Sequence, residues 1–137
     1  MPIVETDMSL EQAEEMLKPA PKAKYKVQVT GFKTAEDGGT EITFESGNKG
    51  MVANLKITGE GPQYEQGENF GKPLKPYNAV KGTGLMAQFK AAFPSANVGT
   101  GFNTDLAIGM ECLADVVISS YEGMDRNEAK RLYPLPQ

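Results

Sequence analysis

One stretch of this chain reads as helix inside a run of β-type segments, and its position restricts the architecture more than any other feature. The stretch is "TGLMAQFKAAFP", Thr83 to Pro94. Thr83 is placed to cap it, and Leu85, Phe89 and Phe93 recur every four residues along one face. Pro94 ends it, because proline has no N–H to donate. Upstream, "KYKVQVTGFKT" alternates: Tyr25, Val27 and Val29 share a face, then Gly31 shifts the register to Phe32, which predicts a strand with a bulge or bend. "GMVANLKIT" sends Met51, Ala53, Leu55 and Ile57 to one side and Val52, Asn54 and Lys56 to the other. Between these two runs lies a turn-rich stretch with a small strand at 40–44. "GEGPQYEQGENFGK" reads as a Gly-rich loop, and "PLKPYNAV" as an edge or extended segment, since its prolines cannot donate to a ladder.

Downstream of the helix, "DLAIG" fits one helical turn and "MECLADVVISSY" a Val/Ile-rich strand. The last segment pulls two ways. "DRNEAKRL" carries an Asp cap, a Glu three residues on and good helix formers, while its place after a strong strand and the tight "YEGMD" turn predicts the second arm of a hairpin. The strand is preferred, because it completes an order of three strands, a helix and two strands. A helix between the third and fourth of five strands is the arrangement of the OB-fold, a small Greek-key barrel. The expected fold is therefore mainly β, an OB-fold five-stranded barrel occupying residues 23–137. Residues 1–22 form an acidic arm in front of it. Within the arm, "SLEQAEEML" predicts a short extra helix with Ser9 and Gln12 in a capping box and Leu10, Ala13, Met16 and Leu17 on one face. "KPAPKA" ends that helix as a linker.

The totals remove several kinds of chemistry. There is no histidine, the commonest general base and metal ligand, and a single cysteine, Cys112, which can form neither an internal disulfide nor a zinc site. One unpaired cysteine fits a reducing, intracellular compartment. No phosphate loop of the GxxxxGK[ST] kind is present, and no carboxylates stand at a metal-binding spacing. The opening "MPIVETDMSLEQAEEM" does not read as a signal peptide, and the apolar runs fall short of a membrane span. A non-enzyme without metal or cofactor is expected. The net charge of −4 argues weakly against a nucleic-acid partner, but its distribution is uneven. Residues 1–22 hold Glu5, Asp7, Glu11, Glu14 and Glu15 against two lysines. Residues 47–93 hold Lys49, Lys56, Lys72, Lys75, Lys81 and Lys90 against three glutamates.

Five pieces, "YKVQV", "SGNKGMVANLKI", "GKPL", "LMAQFKAAF" and "YEGMDRNEAKRLYP", carry a resemblance over about residues 24–134. The chain resembles a family of small phage-encoded proteins, often catalogued as of unknown function, that are similar to single-stranded DNA-binding proteins. Members end a strand in an aromatic, turn through glycine, and continue with Arg-Asn and a basic strand that runs into proline. The 34–46 loop is longer here, Ala129 stands where a β-branched residue is usual, and the acidic arm has no counterpart. The resemblance implies a protein that coats single-stranded DNA with little sequence preference, in phage replication or recombination, in the cytoplasm of an infected bacterium. Replication or recombination proteins would meet it through the arm, and a homo-oligomer is left open. The alternative is a small β-module that binds protein as an accessory or structural subunit; RNA and oligosaccharide ligands also stay open.

Single-strand binding needs cations for phosphates and flat side chains for bases. OB-folds use strands two and three and the loops joining strands one–two and four–five. The residues falling there are Asn54 and Lys56 on strand two, and Lys72, Lys75 and Tyr77 on strand three. Phe44, Asn48 and Lys49 lie at the first loop, and Tyr121, Arg126 and Asn127 at the last, with Lys130 or Arg131 following the backbone. The structural alternatives are plain. Tyr25, Phe32, Phe89 and Phe93 read as core by period, Tyr133 as core or plug, and Phe44 and Tyr77 as either core or stacking. Lys56 reads equally as solvated, and Tyr64 and Phe70 either pack their loop or close over a strand.

Overall fold

The alternating runs form one antiparallel sheet in the computed structural model, which describes residues 2–136 without the side chains of Met16 and Tyr121. The protein is mainly β. Strand β1 (Ala23–Phe32) pairs with β3 (Lys49–Gly59) on one side and β7 (Glu111–Tyr121) on the other, and β7 pairs with β8 (Met124–Tyr133). The short β2 (Ile42–Thr43) and β4 (Tyr77–Val80) both join β3 near its start. They meet at Gly50, which pairs with Ile42 on one edge and Val80 on the other, and any Cβ there would run into the Ala79 carbonyl oxygen. The bend expected at Gly31 falls at its neighbour. Val29 pairs with Leu55 and Gly31 with Asn54, so Thr30 is the extra residue.

The last segment is strand. Glu122 and Gly123 both have positive φ, 51° and 80°, between the paired Tyr121 and Met124. That is the backbone of a two-residue type I′ turn, whose twist matches the flanking strands, so hairpin geometry overrides the local helix preference of "DRNEAKRL".

Helix α2 (Gly84–Ala92) follows β4 as expected. A 3₁₀ turn (Pro94–Ala96), a small hairpin of β5 (Asn97–Val98) and β6 (Gly101–Phe102), and one turn of helix α3 (Thr104–Ala107) then lead to β7. Thr83 makes no side-chain cap bond; its hydroxyl donates to the Val80 carbonyl instead. Leu85 stays 42% exposed, but Phe89 is fully buried and is the hub of an aromatic cluster. Its ring lies 5.6 Å from Tyr77, 5.1 Å from Phe93, 5.1 Å from Phe102 and 6.1 Å from Phe32. Tyr25, Val27 and Val29 of β1, Met51, Ala53, Leu55 and Ile57 of β3, and Cys112, Ala114 and Val116 of β7 complete the core. Burial of this apolar area is the main stabilising term, at about 25 cal/mol per Å².

The sheet is open. The expected five-stranded cylinder lacks a continuous ladder between the 73–76 segment and β8, where one backbone bond crosses, Lys75 N–H to the Asn127 carbonyl at 2.7 Å. The cause is local: Pro73 and Pro76 have no N–H, and Leu74 spends its own on Leu55. The arm's linker meets this gap. Ala20 is fully buried in the core cluster, its N–H donates to Asn127 Oδ1 and its carbonyl accepts from Asn127 Nδ2, both at 2.9 Å. Tyr25 OH donates to the Pro21 carbonyl at 2.6 Å. The folded unit thus includes linker residues ahead of residue 23. Helix α1 (Leu10–Leu17) precedes them, with the Ser9–Gln12 capping box formed and Leu10 and Leu17 at least 75% exposed.

Candidate nucleic-acid interface

Strand alternation and the gap between β4 and β8 together decide which predicted site residues share a surface. On β3, Leu55 and Ile57 point to the core, so Asn54 and Lys56 point out. Lys56 bridges to Pro73 on the next segment. Leu74 turns inward, 5% exposed, which leaves Lys75 outside. The Lys75–Asn127 backbone bond brings β8 alongside; Asn127 points in, so Arg126 points out. Asn54, Lys56, Lys75 and Arg126 therefore occupy one outer strip across β3, the 73–76 segment and β8. Phe70 flanks it, 38% exposed, with Lys56 Nζ 5.5 Å from its ring centroid, a cation–π distance.

A groove of about 510 Å³ opens at the Arg126 end of this strip. Leu17 and Pro19 from the arm, Pro73 and Met124 supply apolar walls; Lys18, Lys72 and Arg126 supply positive charge. Lys72 is only 6% exposed, its stem packed in the groove. Two acids, Glu122 and Asp125, share the rim, and Asp125 accepts a hydrogen bond from the Ser120 hydroxyl. Among the described residues Lys56, Lys72, Lys75 and Arg126 make no ion pair; the pairs present are Lys18–Glu15, Lys26–Glu111, Lys49–Glu41 and Lys81–Glu41.

Other predicted residues go elsewhere. Tyr77 is 5% exposed and stacks on Phe89; its hydroxyl donates to the Leu85 carbonyl at 2.8 Å. Burial pushes its pKa up to about 12, and its ring is core rather than a surface for bases. Asn127 is 3% exposed with its amide committed to Ala20, so it is a structural clasp and not a solvent-facing contact. Lys49 is at the far end of β3, paired with Glu41 at 3.8 Å. The Lys81 hydrogen bond, first among the nearby charges, holds the Glu41 carboxyl below its usual range. Asn48 is exposed and Phe44 half-buried at the same end. Lys130 and Arg131 are exposed farther along β8. Tyr133 is half-buried beside them rather than a core plug. The Tyr121 side chain, one of the aromatic expectations, lies outside the described residues.

Lys18, Pro19 and Met124 line the groove without being expected from the sequence; for Lys18 and Pro19 the signal present is the basic linker "KPAPKAK". Among the described residues no three acids or cysteines gather where a metal ion could be held, and no helix is long and apolar enough to cross a membrane. No protein-family model matches this chain, and no curated protein matches it with significance.

Proposed function

We propose that the protein binds single-stranded DNA without an enzymatic role, coating it in phage replication or recombination, on an OB-type sheet. The observation that carries this reading is the groove lined by Pro19, Pro73 and Met124 with Lys18, Lys72 and Arg126 around it, continued by the unpaired Lys75 and Lys56. Apolar walls receive a base while the cations take phosphates, and neither contact reads sequence. The OB-type path is supported by the order β8–β7–β1–β3–β4 and by α2 standing between β4 and β7. The opening between the 73–76 segment and β8 lies within the strip that would meet the strand.

The test is the exposed pair Lys75→Ala with Arg126→Ala. Neither side chain is in the core, so the double variant keeps its thermal transition. Its affinity for oligo-dT falls at least about tenfold, the order expected for two lost phosphate contacts. Unchanged affinity in the folded double variant removes the strip from the account.

A second reading, a module that binds protein, is favoured by one observation: Leu10 and Leu17 of α1 are 75% and 80% exposed. An oligo-dT titration of the intact chain separates the two: it binds under the first reading, and keeps binding when residues 2–16 are deleted, while under the second it has no affinity for oligo-dT.

A further inference from the structure

Beyond the groove the same linker leads to a second collection of cations. Lys22 of the linker, Lys24 of β1 and Lys130 of β8 line a cleft of about 550 Å³ over Val116 and Val117. Three separate segments contribute one lysine each, and among the described residues none of the three makes an ion pair.

The placement of Lys130 comes from a bulge. Val116 pairs with Ala129 and Asp115 with Arg131, so Lys130 is the extra residue. Simple alternation would send only one of the two cations outward. The bulge leaves both Lys130 and Arg131 exposed between the inward Ala129 and Leu132. The one acid in the cleft, Asp115, is held by the Tyr133 hydroxyl, which donates to it at 2.5 Å, and it forms no ion pair with the three lysines. Lys24 Nζ lies 4.2 Å and the Arg131 guanidinium 5.4 Å from the Tyr133 ring centroid, which gathers the positive charge around one aromatic. Three lysines against the single carboxylate of Asp115 leave the cleft with a net positive charge, and a polyanion is drawn to it.

We propose that the Lys22–Lys24–Lys130 cleft is a second phosphate-binding station for single-stranded nucleic acid, reached by a strand that leaves the groove and follows β8. The proposal rests on the nucleic-acid reading given above. Arg126 and Lys130 are four residues apart on β8, roughly 13 Å at the rise of an extended strand. An oligonucleotide of about 4 residues fills the groove alone, and one of about 16 reaches the cleft; these are the ends of the range for a single module of this kind.

Lysine acetylation footprinting of the unaltered protein, read by mass spectrometry with saturating oligo-dT, tests this without relying on any variant's folding. The long oligonucleotide slows labelling of Lys22, Lys24 and Lys130 as well as Lys56 and Lys75. The short one protects lysines of the groove and strip, Lys18, Lys56 and Lys75 among them, and leaves Lys22, Lys24 and Lys130 labelling at their free rate. In parallel, Lys22→Gln/Lys24→Gln/Lys130→Gln binds the long oligonucleotide with a salt slope shallower by about 2, at about 0.7 per phosphate, and binds the short one unchanged. If the cleft lysines label equally fast with the long oligonucleotide while Lys56 and Lys75 are protected, the second station is overturned and the groove survives. If no lysine is protected by either, both readings fall.

Discussion

Asn127 separates a structural role from a binding role more sharply than any other residue. Its amide spans the opening in the sheet and pairs both backbone groups of Ala20, in a position almost closed to solvent. Asn127→Ala leaves an N–H and a carbonyl without partners, at about 1–3 kcal/mol each. The full sum is an upper limit, because the linker can lift into water, losing Ala20 burial and the Tyr25–Pro21 bond as it does so. The expected loss is about 2–4 kcal/mol in urea unfolding, read as a lower midpoint with an unchanged m-value. In a thermal scan this corresponds to roughly 10 °C for a chain of this size. Hydrogen exchange localises the effect: the Ala20 amide, protected in the parent, exchanges freely in the variant. A variant that keeps its stability to within about 0.5 kcal/mol and loses oligonucleotide affinity would refute the clasp and make Asn127 a ligand contact.

Four further outcomes follow from the same geometry. Stability falls on the alkaline side, because burial raises Cys112 and Tyr77 to about 12 from ordinary values of 9.0 and 10.0. The unfolded chain releases these protons first, so stability present below pH 9 is lost as pH rises from about 9 to about 12, and Cys112→Ala delays the onset to about pH 10 in a denaturation series. Gly50→Ala costs at least about 2 kcal/mol, since the new methyl meets the Ala79 carbonyl on a paired strand; wild-type stability would contradict the three-strand junction. Phe89→Ala costs about 3–5 kcal/mol in the same assay, having lost the centre of the aromatic cluster. Lys49→Ala leaves oligo-dT affinity within twofold, because Lys49 lies roughly 23 Å from Lys56 along β3 and already faces Glu41.

The parts of the fold governed by local period were legible. The inward set of β3 was readable from alternation, and Phe89 and Phe93 from helical spacing, because one buried face forces one register. The turn "YEGMD" outweighed the helix formers that follow it, since two residues with positive φ make a hairpin whatever the next side chains prefer. The topology of closure was less legible. Whether two edges zip depends on which backbone donors remain, and the prolines at 73 and 76 leave too few for a ladder. The outward placement of the cations was legible, and the burial of Tyr77 was not. Lys56 and Lys75 are outward because their neighbours are apolar, and Arg126 is outward because Asn127 beside it turns in. Tyr77 alternates in the same way but faces Phe89, a contact that no local pattern encodes. Asn127 was misread for a related reason. A polar residue beside a turn suggests a ligand contact until the partner from the linker, 107 residues earlier, is known.

The most direct measurement is a fluorescence-anisotropy titration of the intact protein with oligo-dT over a series of salt concentrations. Five cations line the groove and strip, namely Lys18, Lys56, Lys72, Lys75 and Arg126. At about 0.7 per phosphate these five contribute about −3.5 to the slope of the logarithm of affinity against the logarithm of salt, and a strand long enough to reach the cleft lysines makes it steeper. Absence of binding at low salt, or an affinity indifferent to salt, would contradict a surface that works by neutralising phosphates.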